Sequence, residues 1–204
     1  MGRAAAAALL LAGATGCVSP GGRSRTFEAA RLASDPGWIT AAPTPLVRQV
    51  GAQDCGAASL AMVAGRWQVD LSLEGAAAAL PAPGPTGARL GDLRDAARAS
   101  RLQAFAIAGD RETLVHELQA GRPVIVGLHL PAGPRRALSH YEVLVAVHPA
   151  ADRFVTLDPA SGWRVRSWGD LDAEWLPAGR PALVVVGVGK GRSAPGTERA
   201  QGTR

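Results

Sequence analysis

One stretch of the sequence constrains the fold more than any other: a loop that leads into a helix of small and apolar residues, with a cysteine at the junction. The pattern predicts a buried helix that Asp54 caps and Gly65 ends. Cys55 then lies in the first helical turn, where free N–H groups and the positive end of the helix dipole favour a thiolate over a thiol. This is where a nucleophilic cysteine works best.

Gln49 lies six residues before Cys55, in the loop that enters this helix. Its amide N–H could turn toward the oxyanion that forms when a thiolate attacks a carbonyl. The alternative is that Cys55 is a buried, inert small hydrophobe, which is the usual fate of a lone cysteine. Asp54 supports that alternative, because a carboxylate beside a thiol opposes ionisation unless the helix end absorbs its charge. On Cys55 alone the inert interpretation is favoured, so reactivity depends on partners elsewhere in the chain.

The positive charge of the chain comes almost entirely from arginine. The 204 residues are enough for one domain with a real core, and the net charge is +5, with Lys190 as the only lysine. The arginines are scattered singly, except for the pair at 135 and 136, and aromatic content is 4%. A nucleic-acid-binding protein is expected to cluster basic residues on one face with aromatic platforms. The pattern indicates compositional bias, and we expect no nucleic-acid partner.

The start of the chain has the layout of a bacterial export signal. A short positive region is followed by an apolar run over 4–12, which is too short to span a bilayer, and then by small residues. The tetrapeptide Ala-Thr-Gly-Cys at 14–17 resembles the lipobox of bacterial lipoproteins. We therefore predict a signal peptide over 1–16 and a lipid on Cys17 that anchors the protein in the cell envelope. The alternatives are an ordinary signal peptide and a fortuitous apolar start.

Two further features of the N-terminal region bear on location and redox state. Gram-negative lipoproteins that stay in the inner membrane commonly have Asp after the lipidated cysteine, and this chain has Val18. By that resemblance we expect the periplasmic face of the outer membrane, in an organism that has one. The chain has two cysteines, so a lipid on Cys17 leaves Cys55 as a single free thiol in an exported protein. An unpaired cysteine in an oxidising compartment calls for a functional explanation.

The remaining pattern predicts an α+β fold. Residues 17–45 are rich in Ser, Gly, Pro and Ala, which indicates a lipidated N-terminus and tether. Within them we expect one short helix near 26–33, and Trp38-Ile39 are candidates to pack on the domain. Residues 189–204 are predicted to be a disordered tail. Between them, helices come first and strands later, with little βαβ alternation, which favours a mostly antiparallel sheet. Helices are predicted at 71–80, 90–100, 110–119 and 169–175, and strands at 103–108, 123–130, 140–148, 153–157, 163–167 and 182–188.

A cysteine nucleophile needs a base, and the base needs an orienting group. His116 is predicted on a helix surface and His129 in a structural position, and His148 lies roughly 26 Å along the strand from His140. His140 is the candidate base, because it opens a Val-rich strand and would be exposed at its lip. Asp158 ends the next strand, so a hairpin would bring it to the same sheet edge. The alternatives are a surface histidine and a plain Asp-Pro turn.

The order of these residues resembles the C39 peptidases, a papain-like group of bacterial cysteine peptidases. The features that carry the resemblance are Gln49 followed after five residues by Cys55-Gly56, then Ser139-His140-Tyr141 opening a strand, then Asp158-Pro159. The resemblance covers about 46–188 and implies the papain-like fold. It also implies that Cys55 is the nucleophile, His140 the general base and acid, Asp158 the orienting residue and Gln49 the oxyanion-hole donor.

Three functions are compatible with this resemblance. The first is a lipid-anchored peptidase of the envelope that hydrolyses peptide bonds, with a peptide or protein as substrate. The second is an enzyme that uses the same thioester but transfers the acyl group to an amine. The third is a catalytically silent domain that serves as an envelope binding or scaffold lipoprotein with a protein partner. In bacteriocin exporters this domain is fused to a transporter and an ATPase, which the sequence does not show, so cleavage of a double-glycine leader does not follow.

No cofactor is expected, and a metal site is not predicted, because no cluster of His, Cys and Asp has the spacing of metal ligands along the sequence.

Overall fold

The computed structural model describes residues 22–41, 43–82, 84, 87–133 and 136–187. The predicted signal peptide, the lipid site at Cys17 and the predicted tail at 189–204 lie outside these residues. Within them, none of the helices has the length and apolar character needed to span a bilayer.

The elements follow one another along the chain with short connections. The helices are α1 (Arg31–Ser34), α2 (Cys55–Arg66), α3 (Leu73–Ala78), α4 (Leu90–Ala99), α5 (Arg111–Gln119) and α6 (Trp168–Trp175), with a 3-10 turn at Leu176–Ala178. The strands are β1 (Arg25–Thr26), β2 (Ile39–Thr40), β3 (Leu102–Ala108), β4 (Val124–Pro131), β5 (Ala137–His148), β6 (Arg153–Asp158), β7 (Gly162–Ser167) and β8 (Pro181–Gly187).

The strands form one antiparallel sheet. Its order is β1-β7-β6-β5-β4-β8-β3, and β2 pairs with β5 outside this path. Strands β4 to β7 are consecutive in the chain and adjacent in the sheet, as expected for antiparallel strands joined by short connections. The α+β fold with a mostly antiparallel sheet is therefore confirmed.

Both faces of the central strands are buried. Successive side chains on a strand point to opposite faces, so Val143 packs in a cluster with α2 and α4, and Leu144 packs in a second cluster with α5 and α6. Helix α2 is buried from Cys55 to Ala64, which explains its run of small residues. A helix of small side chains can approach a sheet closely, and this packing fixes the position of Cys55 in the first turn of α2.

The N-terminal segment differs from the predicted tether. β1 pairs with β7, Arg164 donates to the hydroxyls of Ser24 (2.8 Å) and Thr26 (3.1 Å), and Phe27 and Ala41 are buried. The prediction of a tether over 17–45 is thus wrong for the described residues from 22 onward. Weak intrinsic preferences were overridden by tertiary contacts, because the buried guanidinium of Arg164 needs acceptors and the edge of β7 needs a backbone partner.

Candidate active site

Cys55 is the first residue of α2 and is 5% exposed. The predicted side-chain cap by Asp54 is wrong: this carboxylate accepts a hydrogen bond from the backbone N–H of Gly51 (2.6 Å) and none from the helix. The local turn that leads into α2 competes for the carboxylate. The N–H groups of the first helical turn therefore remain available to the thiol and to a charge that develops beside it.

The hairpin of β5 and β6 joins His140 to Asp158. The register pairs Val143 with Leu157, so the beginning of β5 lies beside the end of β6, and Nε2 of His140 is 2.8 Å from Oδ1 of Asp158. His140 is only 6% exposed and Asp158 is fully buried. The expectation that His140 would open the strand and be exposed at its lip is wrong, because β5 begins at Ala137 and His140 lies within it, paired with Leu128 of β4.

Further hydrogen bonds fix the Asp158 carboxylate. The backbone N–H of Ala160 donates to Oδ1 (2.8 Å) and the hydroxyl of Ser161 donates to Oδ2. Burial raises the pKa of Asp158, but the hydrogen bond and charge of His140, together with these two donors, lower it to about 2. Asp158 is therefore an anion that holds the imidazole in one orientation.

The pKa values of His140 and Cys55 move in opposite directions. Burial lowers the pKa of His140, but its hydrogen bonds with Asp158 and Cys55 outweigh burial and raise it to about 10. Burial raises the pKa of the Cys55 thiol, yet the hydrogen bond and charge of His140, with backbone hydrogen bonds at Tyr141 and Gly56, bring it below its ordinary value. Both shifts favour a thiolate beside an imidazolium. Because Nε2 is held by Asp158, Nδ1 is the nitrogen left for Cys55.

Gln49 is held next to the same turn. Its backbone N–H donates to the carbonyl of Pro159 (3.1 Å), which ties the loop before α2 to the residues after Asp158. Its side-chain Nε2 donates to the carbonyl of Gly51 (3.0 Å). An amide nitrogen has two N–H donors, so one remains after this bond. The structure thus brings Gln49 to the site, and its role as an oxyanion donor stays a prediction.

The other histidines lie elsewhere. His116 has a 68% exposed side chain on α5, where it contacts Glu117. His148 pairs with Asp35 (3.3 Å) at the far end of β5. His129 is half-buried on β4, directly across from Ser139, and lines the groove beside His140. Only His140 among the described histidines contacts Cys55.

A groove of about 220 Å³ opens beside His140. Its walls come from β4 and β5, the loop before α4 and the residues around the 3-10 turn, and include Gly127, Ser139 and Arg89. Tyr141 holds the loop in place by donating its hydroxyl hydrogen to the carbonyl of Ala88 (3.1 Å). A Cβ on Gly56 would lie 3.2 Å from that of Ala88, so the glycine after Cys55 allows the loop to approach the nucleophile.

A second layer of buried charge lies behind the histidine, and the sequence analysis missed it. Glu142 is two residues after His140 and therefore on the same face of β5. Its two oxygens accept hydrogen bonds from Nη1 (2.7 Å) and Nη2 (2.9 Å) of Arg166, and Thr156 also donates to it. The available signals were Glu142 before the apolar run of β5 and the two alternating arginines of β7, Arg164 and Arg166.

This layer also creates a cluster of possible metal ligands. His140, Glu142 and Asp158 each offer one ligand atom, and these atoms lie within 4.8 Å of one another. Sequence spacing did not indicate the cluster, because the three residues lie on two strands. The guanidinium of Arg166 already engages both oxygens of Glu142, and His140 engages Asp158. The donors are thus committed to one another, and the arrangement fits acid–base chemistry better than cation binding.

The model of the peptidase C39 family matches residues 43–178, which is more than half of the chain. The chain belongs to the peptidase C39 family. Membership makes it a papain-like cysteine peptidase, as the resemblance implied. No curated protein matches it.

The fold is shared with solved structures of peptidases. The double-glycine-motif protease of an AMS/PCAT transporter, in complex with the leader peptide, is 23% identical with a TM-score of 0.59, over 72% of this chain and 94% of that one. The peptidase domain of Streptococcus ComA, a bifunctional ABC transporter in a quorum-sensing pathway, is 24% identical with a TM-score of 0.59, over 72% and 100%. A C39-like peptidase from Bacillus anthracis is 16% identical with a TM-score of 0.62, over 74% and 98%.

Proposed function

We propose that this C39 peptidase hydrolyses peptide bonds at the bacterial cell envelope through Cys55, His140 and Asp158. The observation that carries the proposal is the buried array in which Asp158 holds His140, and His140 in turn lowers the pKa of a thiol at a helix N-terminus. Each of these features alone is common in proteins. Together they provide a nucleophile, a base and an orienting group, which is the set that covalent catalysis needs.

The steps follow from the positions of the atoms. His140 holds the proton of the thiol, and Sγ of Cys55 attacks the carbonyl carbon of the scissile amide. The oxyanion is stabilised by the backbone N–H of Cys55 and by the free N–H of Gln49. His140 then gives its proton to the leaving amine, the C–N bond breaks and a thioester remains. Water, losing a proton to His140, attacks the thioester, and the acid product leaves as the thiolate is restored.

The substrate of this proposal is a peptide or protein segment that enters the groove beside His140. The AMS/PCAT protease was solved with the leader peptide, which supports peptide binding in this fold. Neither a double-glycine sequence nor an exported bacteriocin is part of the proposal.

The lipid anchor at Cys17 is part of the same proposal. It is supported by the resemblance of 14–17 to the lipobox and by the apolar run before it. A lipid on Cys17, followed by Val18 instead of Asp, would place the peptidase at the periplasmic face of the outer membrane. An envelope protein is the natural class of partner or substrate there.

Product analysis in heavy-oxygen water tests the chemistry. We expect the full chain to cleave members of an unbiased peptide mixture, with heavy oxygen in each new carboxylate, because water releases the acyl group. Cys55→Ala abolishes cleavage. Ser59→Ala is the matched control on the same helix, since its buried hydroxyl has no hydrogen-bond partner among the described residues, and it should retain activity.

Two results would count against hydrolysis. Transfer of the acyl group to an added amine, with no heavy oxygen in the products, would favour the transfer enzyme. Absence of any Cys55-dependent product, from a chain that is folded, would favour the silent scaffold.

A further inference from the structure

A second groove, of about 380 Å³, lies where β6 begins and β7 ends. Of the arginines that line it, Arg166 is buried in its pair with Glu142. The other four have exposed side chains: Arg23, Arg25, Arg31 and Arg153. The only carboxylate in its wall is Asp170, which lies 3.9 Å from Arg23. The sequence analysis took the scattered arginines for compositional bias, and the fold instead gathers these four from separate segments. We call this site the arginine groove.

Much of this charge is not neutralised by the protein. Among the described residues, the side chains of Arg25 and Arg31 form no ion pair, and Arg153 donates only to the backbone carbonyl of Asp152 (3.1 Å). Several cations held together in a concavity attract anions strongly. The guanidinium group is also the side chain best matched to the oxygens of a phosphate. The chemistry of the groove therefore favours a ligand with phosphate groups.

The position of the groove relative to the N-terminus indicates which phosphates it would meet. Arg23 is six residues from Cys17, so a chain between them spans at most about 21 Å. A lipid on Cys17 would hold Arg23 and its neighbours within that distance of the bilayer surface. The phosphates found there are those of phospholipid headgroups.

The active site lies at the opposite end of the same strands. β6 runs from Arg153 in the arginine groove to Asp158 beside His140, and five residues of a strand cover roughly 16 Å. β7 runs between the same two ends in the other direction. If the arginine groove faces the membrane, the groove beside His140 faces the aqueous compartment.

We propose that the arginine groove binds the phosphate headgroups of anionic phospholipids and so fixes the peptidase with its active site turned away from the membrane. The membrane location in this inference rests on the proposed lipid anchor at Cys17. The binding of phosphate groups rests on the arginines of the groove alone. The interaction is electrostatic, so it should weaken as the salt concentration rises.

Vesicle sedimentation tests the binding. The protein is the predicted mature chain, without residues 1–16 and with Cys17→Ala, so that neither the apolar signal nor a lipid is present. A failure to bind is therefore separate from a failure of lipidation or of peptidase activity. We expect it to bind phosphatidylcholine vesicles only when they contain phosphatidylglycerol. The double variant Arg25→Gln with Arg31→Gln should lower the partition coefficient about ten- to thirtyfold, because each arginine contributes separately at an anionic surface.

The matched control removes two positive charges from outside the arginine groove. Arg101 and Arg136 are exposed and do not line the groove, so Arg101→Gln with Arg136→Gln should leave the partition within about twofold. An equal loss in both doubles would reduce the effect to net charge and overturn the proposal, as would absence of binding to phosphatidylglycerol. Full displacement by millimolar inorganic phosphate would assign the groove to a small soluble anion instead.

The orientation has its own readout. In a background with Cys17→Ala and Cys55→Ala, a polarity-sensitive fluorophore is attached either at Ala151→Cys, which shares a cavity with Arg31, or at Ala82→Cys, near the loop before α4. We expect anionic vesicles to shift the emission to the blue at 151 and leave it unchanged at 82. A shift at 82 without one at 151 would reverse the proposed orientation.

Discussion

Whether Cys55 is a nucleophile or an inert buried thiol is decided by its neighbours. Burial, which the inert interpretation predicted, is real: the side chain is 5% exposed. Burial alone would raise the pKa of the thiol, but the hydrogen bond and charge of His140 reverse the direction. Asp158 in turn keeps His140 cationic to about pH 10. The reactivity of Cys55 thus depends on the Asp158 carboxylate, which acts on the sulfur through His140.

Asp158→Asn should lower the pKa of His140 toward its ordinary value of about 6.5, because the hydrogen bond loses its charge. The alkaline limb of the activity profile then moves from near pH 10 to lower pH, and kcat/KM falls by about a hundredfold or more. A pH–rate profile of each protein measures both effects. Asp95→Asn, on the exposed face of α4, is the control and should change neither; an unmoved alkaline limb in Asp158→Asn would contradict the assignment.

The pKa of His140, raised to about 10, also makes stability depend on pH. A raised pKa contributes stability that is fully present below the unfolded value of about 6.5 and is lost as pH rises through about 10. The loss of unfolding free energy in His140→Gln should therefore be largest at pH 6 and shrink toward pH 10, as measured by urea unfolding. A loss that is constant across this range would show that the charge of His140 has no part in stability.

At the scale of elements, the sequence predicted what depends on local pattern and missed what depends on pairing. Helix α2 and the strand β6 begin where the sequence indicated, because the small-residue run and the β-branched run are local signals. The sequence analysis predicted that Asp158 would lie near His140 only if their strands formed a hairpin. The pairing register of two strands cannot be read from the sequence of one strand. Glu142 and Arg166 were missed because two charges stabilise each other only after β5 and β7 are placed beside β6.

Arg166→Met should destabilise the protein by about 3–5 kcal/mol, because it leaves two buried carboxylates, Glu142 and Glu174, without their cation. The triple variant Glu142→Leu, Glu174→Gln and Arg166→Met should cost much less, since no charge of this cluster is then buried alone. The free energies of unfolding in urea give the comparison. Equal losses in the single and triple variants would show that these charges are not coupled.

At the scale of the whole molecule, the N-terminal segment is part of the domain and its contacts could not be predicted locally. Ser, Gly, Pro and Ala are common in linkers, so the composition of 22–41 favoured a tether. Trp38 could be named as a candidate for packing, but the local pattern does not indicate Phe27 as its partner, with ring centroids 5.3 Å apart. The segment brings Arg23 and Arg25 to one end of β6 and β7, and the active site forms at the other. The order of the residues along the sequence predicted the candidate site. It did not predict that the arginine groove and this site would lie at opposite ends of β6 and β7.

Phe27→Ala tests whether this segment is structural. The side chain is buried, so its removal should lower the free energy of unfolding by about 3 kcal/mol. Phe105→Ala is the matched control, because that ring on β3 is 50% exposed, and it should cost less than about 1 kcal/mol. A negligible loss in Phe27→Ala would return the segment to the role of a tether.

The central claim is that Cys55 and His140 form a thiolate–imidazolium pair, and alkylation across pH tests it most directly. The full chain with Cys17→Ala is treated with iodoacetamide, and modification of Cys55 is followed by mass spectrometry beside His140→Ala and the exposed control His116→Ala. We predict that Cys55 reacts well below the ordinary thiol pKa of about 8.5, that His140→Ala restores ordinary behaviour and that His116→Ala changes nothing. Reaction of Cys55 as an ordinary or shielded thiol, independent of His140, would contradict the account and leave the silent scaffold as the better explanation.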